Sequence, residues 1–191
     1  YNMVTGTDGY MHYASELAGE AKYTDGCAFD VETDCEGVFV LENNFSANCF
    51  SDAYVAFDYR NRIHSPSARN AHVIIRNNIS VNDQRFFHYP AADKLYTFQV
   101  TNNTVIRTED ALYKNGYEPI LVKPQAGKKA VRFQNNIFCY EGIRVTFTTG
   151  TQCEYVDNLY SGNIFQLFQD ESAVYADPEL ASVPTAKDLE M

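Results

Sequence analysis

Four residues of this 191-residue chain have the types and spacing to act together on a substrate: Asp30, Asp58, His88 and Lys123. Asp30 closes the segment Ala28-Phe29-Asp30, and Asp58 closes the similar Ala56-Phe57-Asp58. His88 follows Phe87 and Lys123 follows Val122 in two later apolar segments. Side chains alternate across a strand, so Phe29, Phe57, Phe87 and Val122 would turn inward and the four polar residues outward. Parallel strands lie about 4.8 Å apart, which stacks Asp30, Asp58, His88 and Lys123 into one column. Thr146 would continue it, with Glu32 and Arg60 in a column alongside. Two carboxylates about 5 Å apart suit a retaining glycosidase, one as nucleophile and one as acid/base. Their repulsion raises one pKa and prepares a proton donor. His88 is an alternative general acid or base.

The same column suits a lyase. A Ca²⁺ held by Asp30, Glu32 and Asp58 would neutralise a uronate carboxylate, and Lys123 would take the neighbouring proton. The hydrolase reading needs no cofactor. A third reading is a solvated sheet face whose Asp, His and Lys form surface ion pairs. A one-residue slip in the alignment would reverse every side chain. The insertion after Asp58 adds Tyr59, Arg60, Arg62, His64 and Arg69. Its arginines can bind an acidic sugar bidentately, or pair with Asp30, Glu32 and Asp58. Tyr59 can stack on a sugar ring or pack the core. With Glu32, these residues make up the candidate substrate-binding set.

The elements that must position these groups are short. Apolar runs of four to six residues, rich in Val, Ile, Phe and Tyr and without helical periodicity, read as strands. Val38-Phe39-Val40-Leu41-Glu42-Asn43-Asn44-Phe45-Ser46 sets the pattern, and Val73-Ile74-Ile75-Arg76-Asn77-Asn78-Ile79-Ser80 repeats it. It returns as Phe98-Gln99-Val100-Thr101-Asn102-Asn103-Thr104-Val105 and Val131-Arg132-Phe133-Gln134-Asn135-Asn136-Ile137-Phe138, and more weakly at Asp157-Asn158. The second Asn falls at 44, 78, 103, 136 and 158. A unit of roughly 22–25 residues with insertions in two coils fits a solenoid, because insertions become loops on one face. Asn tolerates the left-handed backbone of a sharp corner. Stacked Asn amides can also hydrogen-bond along the axis. Asn44, Asn78 and Asn102 form N-x-S/T sequons, but Asn44 and Asn78 are expected to point inward. Further strands are expected at Cys27–Glu32, Ala53–Tyr59, Arg85–Pro90, Pro119–Pro124 and Ile143–Thr148.

Composition narrows the function classes. A net charge of −10 argues against nucleic-acid binding, which needs a basic footprint. No apolar run is long enough for a membrane-spanning helix. The opening residues lack a charged segment followed by an apolar one, so no signal peptide is read there. Five cysteines without a C-x-x-C pair give no zinc or thioredoxin-like signature. They read as buried apolar residues, or as a Cys139–Cys153 disulfide if neighbouring coils bring those two together.

Asp25-Gly26-Cys27-Ala28-Phe29-Asp30-Val31-Glu32, Leu41-Glu42-Asn43-Asn44-Phe45-Ser46 and Ile75-Arg76-Asn77-Asn78-Ile79-Ser80 resemble the bacterial right-handed parallel β-helix repeat family, within the pectate-lyase-like superfamily. Val100-Thr101-Asn102-Asn103-Thr104-Val105 and the closing Ala176-Asp177-Pro178-Glu179-Leu180 are similar to it too. The resemblance implies an all-β, right-handed, single-stranded parallel β-helix of about seven coils with an Asn ladder. It would occupy residues 1–180, as the C-terminal part of a larger helix, with 181–191 as a tail. It implies an extracellular or cell-surface, carbohydrate-active protein whose partner is a polysaccharide or oligosaccharide. Glycoside hydrolase, Ca-dependent lyase and non-catalytic binding or structural modules all occur on such folds, and the fold does not choose among them.

Overall fold

The computed structural model describes residues 2–5, 27–31, 36–49, 51–56, 71–89, 96–108, 118–122, 131–147, 153–166, 170 and 172–180. Every regular element among them is a β-strand, numbered here in chain order. A seven-stranded sheet contains β1 (Met3–Thr5), β4 (Phe45–Ala47), β7 (Ile79–Val81), β10 (Thr104–Arg107), β13 (Ile137–Phe147), β15 (Leu159–Gln166) and β16 (Val174–Tyr175), in that order. A four-stranded sheet contains β2 (Phe29–Val31), β5 (Asp52–Ala56), β8 (Arg85–Tyr89) and β11 (Ile120–Val122). A five-stranded sheet contains β3 (Gly37–Glu42), β6 (Ala71–Arg76), β9 (Tyr96–Thr101), β12 (Val131–Gln134) and β14 (Cys153–Val156). All pairings are parallel. As far as β13 the chain visits the three sheets in fixed rotation, so each of β1 to β10 pairs with the strand three elements on.

The sequence pattern explains the layers. In β6, Ala71, Val73 and Ile75 are buried while the residues between them are not, the period-two signature of one covered face. Val73 aligns with Phe98, and Phe98 with Val131. Inward side chains thus stack like on like between all three sheets, as one core. The aromatic stacks follow the same register. Phe133 lies on Tyr155 with centroids 4.9 Å apart, and Phe138 lies on Tyr160 at 5.5 Å. Each such pair adds about 0.5–1.5 kcal/mol beyond its buried area.

The Asn pairs divide two jobs. The first member turns the corner between the five- and seven-stranded sheets: Asn43, Asn77, Asn102 and Asn135 have φ of 56°, 54°, 56° and 55°, and Asp157 takes 56° in the last copy. The second member is buried and bonds along the stack. Asn78 Nδ2 donates to Asn103 Oδ1, Asn103 Nδ2 to Asn136 Oδ1, and Asn136 Nδ2 to Asn158 Oδ1, each at 3.0 Å. The row ends on Asp170, whose Oδ2 accepts from Asn158 Nδ2 at 2.9 Å and from the Tyr160 hydroxyl at 3.2 Å. With their amides engaged in this interior, Asn44 and Asn78 are unsuited to glycosylation, whereas Asn102 is exposed.

One expectation fails, and one of the two readings of the cysteines falls away. The strand expected at Ile143–Thr148 does not join the four-stranded sheet. Residues 143–147 are the second half of β13, where Thr146 pairs with Phe165 of β15. No Asn corner separates the halves, and Gly142, at φ 70°, lets the strand bulge instead of changing sheet. Cys139 and Cys153 are free thiols, not a disulfide. They lie in β13 and β14, which belong to different sheets.

Candidate functional site

The four-stranded sheet carries the expected column, but its register differs. Phe29 pairs with Tyr54, Tyr54 with Phe87 and Phe87 with Ile120, all on one face. The opposite face carries Asp30, Val55, His88 and Leu121. Asp30 therefore aligns with Val55, three positions before Asp58, and His88 aligns with Leu121, two before Lys123. Aromatic stacking accompanies this register: Tyr54 lies on Phe29, with centroids 5.1 Å apart and planes 12° from parallel. Asp30 is exposed and His88 partly so. They stand two strand spacings apart, roughly 9–10 Å between backbones. Asp58 and Lys123, together with Glu32, Tyr59, Arg60, Arg62, His64 and Arg69, lie outside the described residues.

What the sheet does bring together is a charged cluster of Asp52, Arg85 and His88. Asp52 and Arg85 are register partners on β5 and β8. Arg85 Nη1 donates to Asp52 Oδ1 at 2.7 Å, with the two side chains 8% and 2% exposed. His88 Nδ1 lies 3.1 Å from Asp52 Oδ2, and the Ser51 hydroxyl donates to the same oxygen at 2.8 Å. Burial alone would raise the Asp52 pKa. The His88 hydrogen bond and the Arg85 charge outweigh it and hold the carboxyl below its ordinary value. Cys27 Sγ sits 3.8 Å from Asp52 Oδ2. Burial and then the Asp52 charge push this thiol up to about 12, so it is no nucleophile at neutral pH.

A second polar cluster lies at the turn between the seven- and four-stranded sheets. Asn48 and Asn82 take φ of 54° and 56° there. Asp83 is buried beside them. Its Oδ2 accepts from Ser46 at 2.6 Å and Ser80 at 2.7 Å, and its Oδ1 from the Cys49 amide at 2.8 Å. Burial dominates and raises the Asp83 pKa in spite of these donors. The buried Tyr54 hydroxyl nearby has no hydrogen-bond partner among the described residues.

Sequence reasoning missed Asp52, Arg85 and Asp83. For Asp83 a signal existed: Asn44-Phe45-Ser46-Ala47-Asn48 and Asn78-Ile79-Ser80-Val81-Asn82 repeat a second Asn and a shared Ser. Asp52 and Arg85 carry none, because their contact spans 33 residues.

Among the described residues, no three His, Cys, Asp or Glu are grouped to hold a metal ion. No helix there is long and apolar enough to cross a membrane. No protein-family model, curated protein or solved structure matches this chain.

Proposed function

We propose that the chain is a right-handed parallel β-helix of about seven coils with an Asn ladder, part of an extracellular protein that acts on polysaccharide. The fixed rotation of the chain through three parallel sheets supports the solenoid. The row of Asn amides, the resemblance of the repeat, the acidic composition and the strands that make up every regular element among the described residues agree with it. In this reading the glycan crosses the outer face of the four-stranded sheet. The observation that carries the reading is the clamp on His88, whose imidazole is held through Nδ1 by a buried carboxylate that Arg85 and Ser51 fix in place.

Asp30, the exposed member, is one proposed acid/base group, and His88, whose Nε2 is buried here, would serve as the second with its ring turned outward. Their separation of one intervening strand favours inverting hydrolysis, which needs room for a water, over a covalent intermediate. Asp58, Lys123 and Glu32 are proposed to complete the site. Tyr59, Arg60, Arg62, His64 and Arg69 would hold the sugar. A Ca-dependent lyase would draw on Asp30, Glu32 and Asp58 instead.

Incubation with a polysaccharide panel tests this. New reducing ends without an unsaturated chromophore are expected, and Asp30→Asn or His88→Asn should abolish them. Unsaturated products would replace the hydrolase with the lyase. Full turnover in both variants would remove the site assignment.

A second reading, a non-catalytic structural β-helix, is favoured by the burial of β5 on both faces: all five residues from Asp52 to Ala56 are buried, with outward-facing Val55 only 2% exposed. It predicts no new ends with any polymer.

A further inference from the structure

An open groove of about 380 Å³ lies away from the four-stranded sheet, lined by Asn2, Met3, Asn43, Asn44, Phe45, Asn77 and Ile79. The register builds it. Met3, Phe45 and Ile79 are successive partners on the outer face of β1, β4 and β7. Met3 is 50% and Ile79 44% exposed. The next column on that face, Ala47, Val81, Ile106 and Cys139, is buried with Leu180 packed on it. The chain's own C-terminal segment therefore covers one column and leaves its neighbour open.

The polar edge of the groove comes from the corners. Positive φ turns the Asn43 and Asn77 side chains into solvent beside Phe45 and Ile79. Their amides make no hydrogen bond to another described residue. The same pairing of outward amide and outward side chain continues at Asn102/Thr104 and Asn135/Ile137. A linear ligand with a repeating unit would meet the same surface at every rung, about 4.8 Å apart. Each amide offers both a donor and an acceptor, as a sugar hydroxyl requires. The apolar row offers a surface for the C–H face of a ring. Among the described residues no ionisable side chain lines the groove, and the neighbouring Arg76 and Glu42 are paired with each other, in a chain of net charge −10. An anionic chain would meet no unpaired cation among the described lining residues, and a basic one no unpaired carboxylate.

We propose that this corner groove is a docking track for a neutral polysaccharide, separate from the four-stranded sheet. The choice of ligand class rests on the polysaccharide reading above, but the location does not.

Affinity electrophoresis of the full chain through gels containing hydroxyethylcellulose or galactomannan, with polygalacturonate as the charged control, tests it. The neutral polymers should retard the protein and polygalacturonate should not. Asn43→Gly combined with Asn77→Gly keeps the left-handed backbone while removing both amides. It should weaken retardation about tenfold, the loss of two modest hydrogen bonds, with circular dichroism and Tm preserved. Ile79→Asp should weaken it independently. Undiminished retardation in the double glycine variant would overturn the proposal. So would retardation by polygalacturonate alone, or a concentration-dependent dimer that Ile79→Asp dissolves while no polymer retards the protein. Loss of turnover with retained retardation would sink the catalytic reading alone, and turnover without retardation would sink the groove alone.

Discussion

Two of the buried polar systems among the described residues are built on opposite plans. At the Asn corner, one neutral amide recurs rung after rung, and each copy satisfies the next. On the four-stranded sheet, unlike charged groups meet once, and Asp52 depends on Arg85, His88 and Ser51 together. A neutral hydrogen bond contributes modestly and carries little penalty when repeated. A buried ion is costly to desolvate and tolerable only when fully compensated. The amide row can therefore run the length of the stack, whereas the ionic cluster is local and sensitive to the loss of any member.

Substitution at the ionic cluster should have the largest effect. Arg85→Ala leaves Asp52 buried without its cation and should cost about 3–5 kcal/mol, read as a lower urea midpoint. Asn103→Ala comes next. It removes the donor to Ile75 and Asn136 and the acceptor for Asn78, and should cost about 2–3 kcal/mol. Equal losses in the two variants would erase the contrast. At the exposed corner, Asn77→Ala forces an ordinary side chain into φ 54° and should cost only about 1–2 kcal/mol. Asn77→Gly should cost less than Asn77→Ala, because glycine adopts that backbone freely.

The pH response separates the two carboxyls by sign. Asp52 titrates below its ordinary value of 3.8 in the fold. Its stabilisation is present above that value and is lost as pH falls through the lowered one. Asp83 titrates above its ordinary value. Its stabilisation is present below 3.8 and is lost as pH rises through the raised pKa. Urea midpoints measured against pH should therefore lose their fall toward acid in Asp52→Asn and their fall with rising pH above 3.8 in Asp83→Asn. The same slope in both variants would contradict these assignments.

The strands and the corner were readable because the information is local. Val, Ile and Phe alternate within six residues, and Asn43 and Asn44 sit side by side where the backbone must turn. The candidate site was harder to read because its information is not local. Ala28-Phe29-Asp30 and Ala56-Phe57-Asp58 match as triplets, yet Phe29 takes Tyr54 as its register partner, with the rings stacked. Nothing adjacent to Asp52 announces Arg85 or His88. A Cys139–Cys153 pair required neighbouring coils to bring the two together, but β13 and β14 lie in different sheets, which no residue beside either cysteine signals.

Asp170 gives the amide row a direction. Every Asn passes a proton donor toward the C-terminal end and offers an acceptor behind it, so the row could in principle go on adding layers there. A carboxylate at that end accepts from Asn158 and has no proton to hand on. It acts as a chain terminator. The amide relay stops there, while the sheet goes on for one more strand, β16.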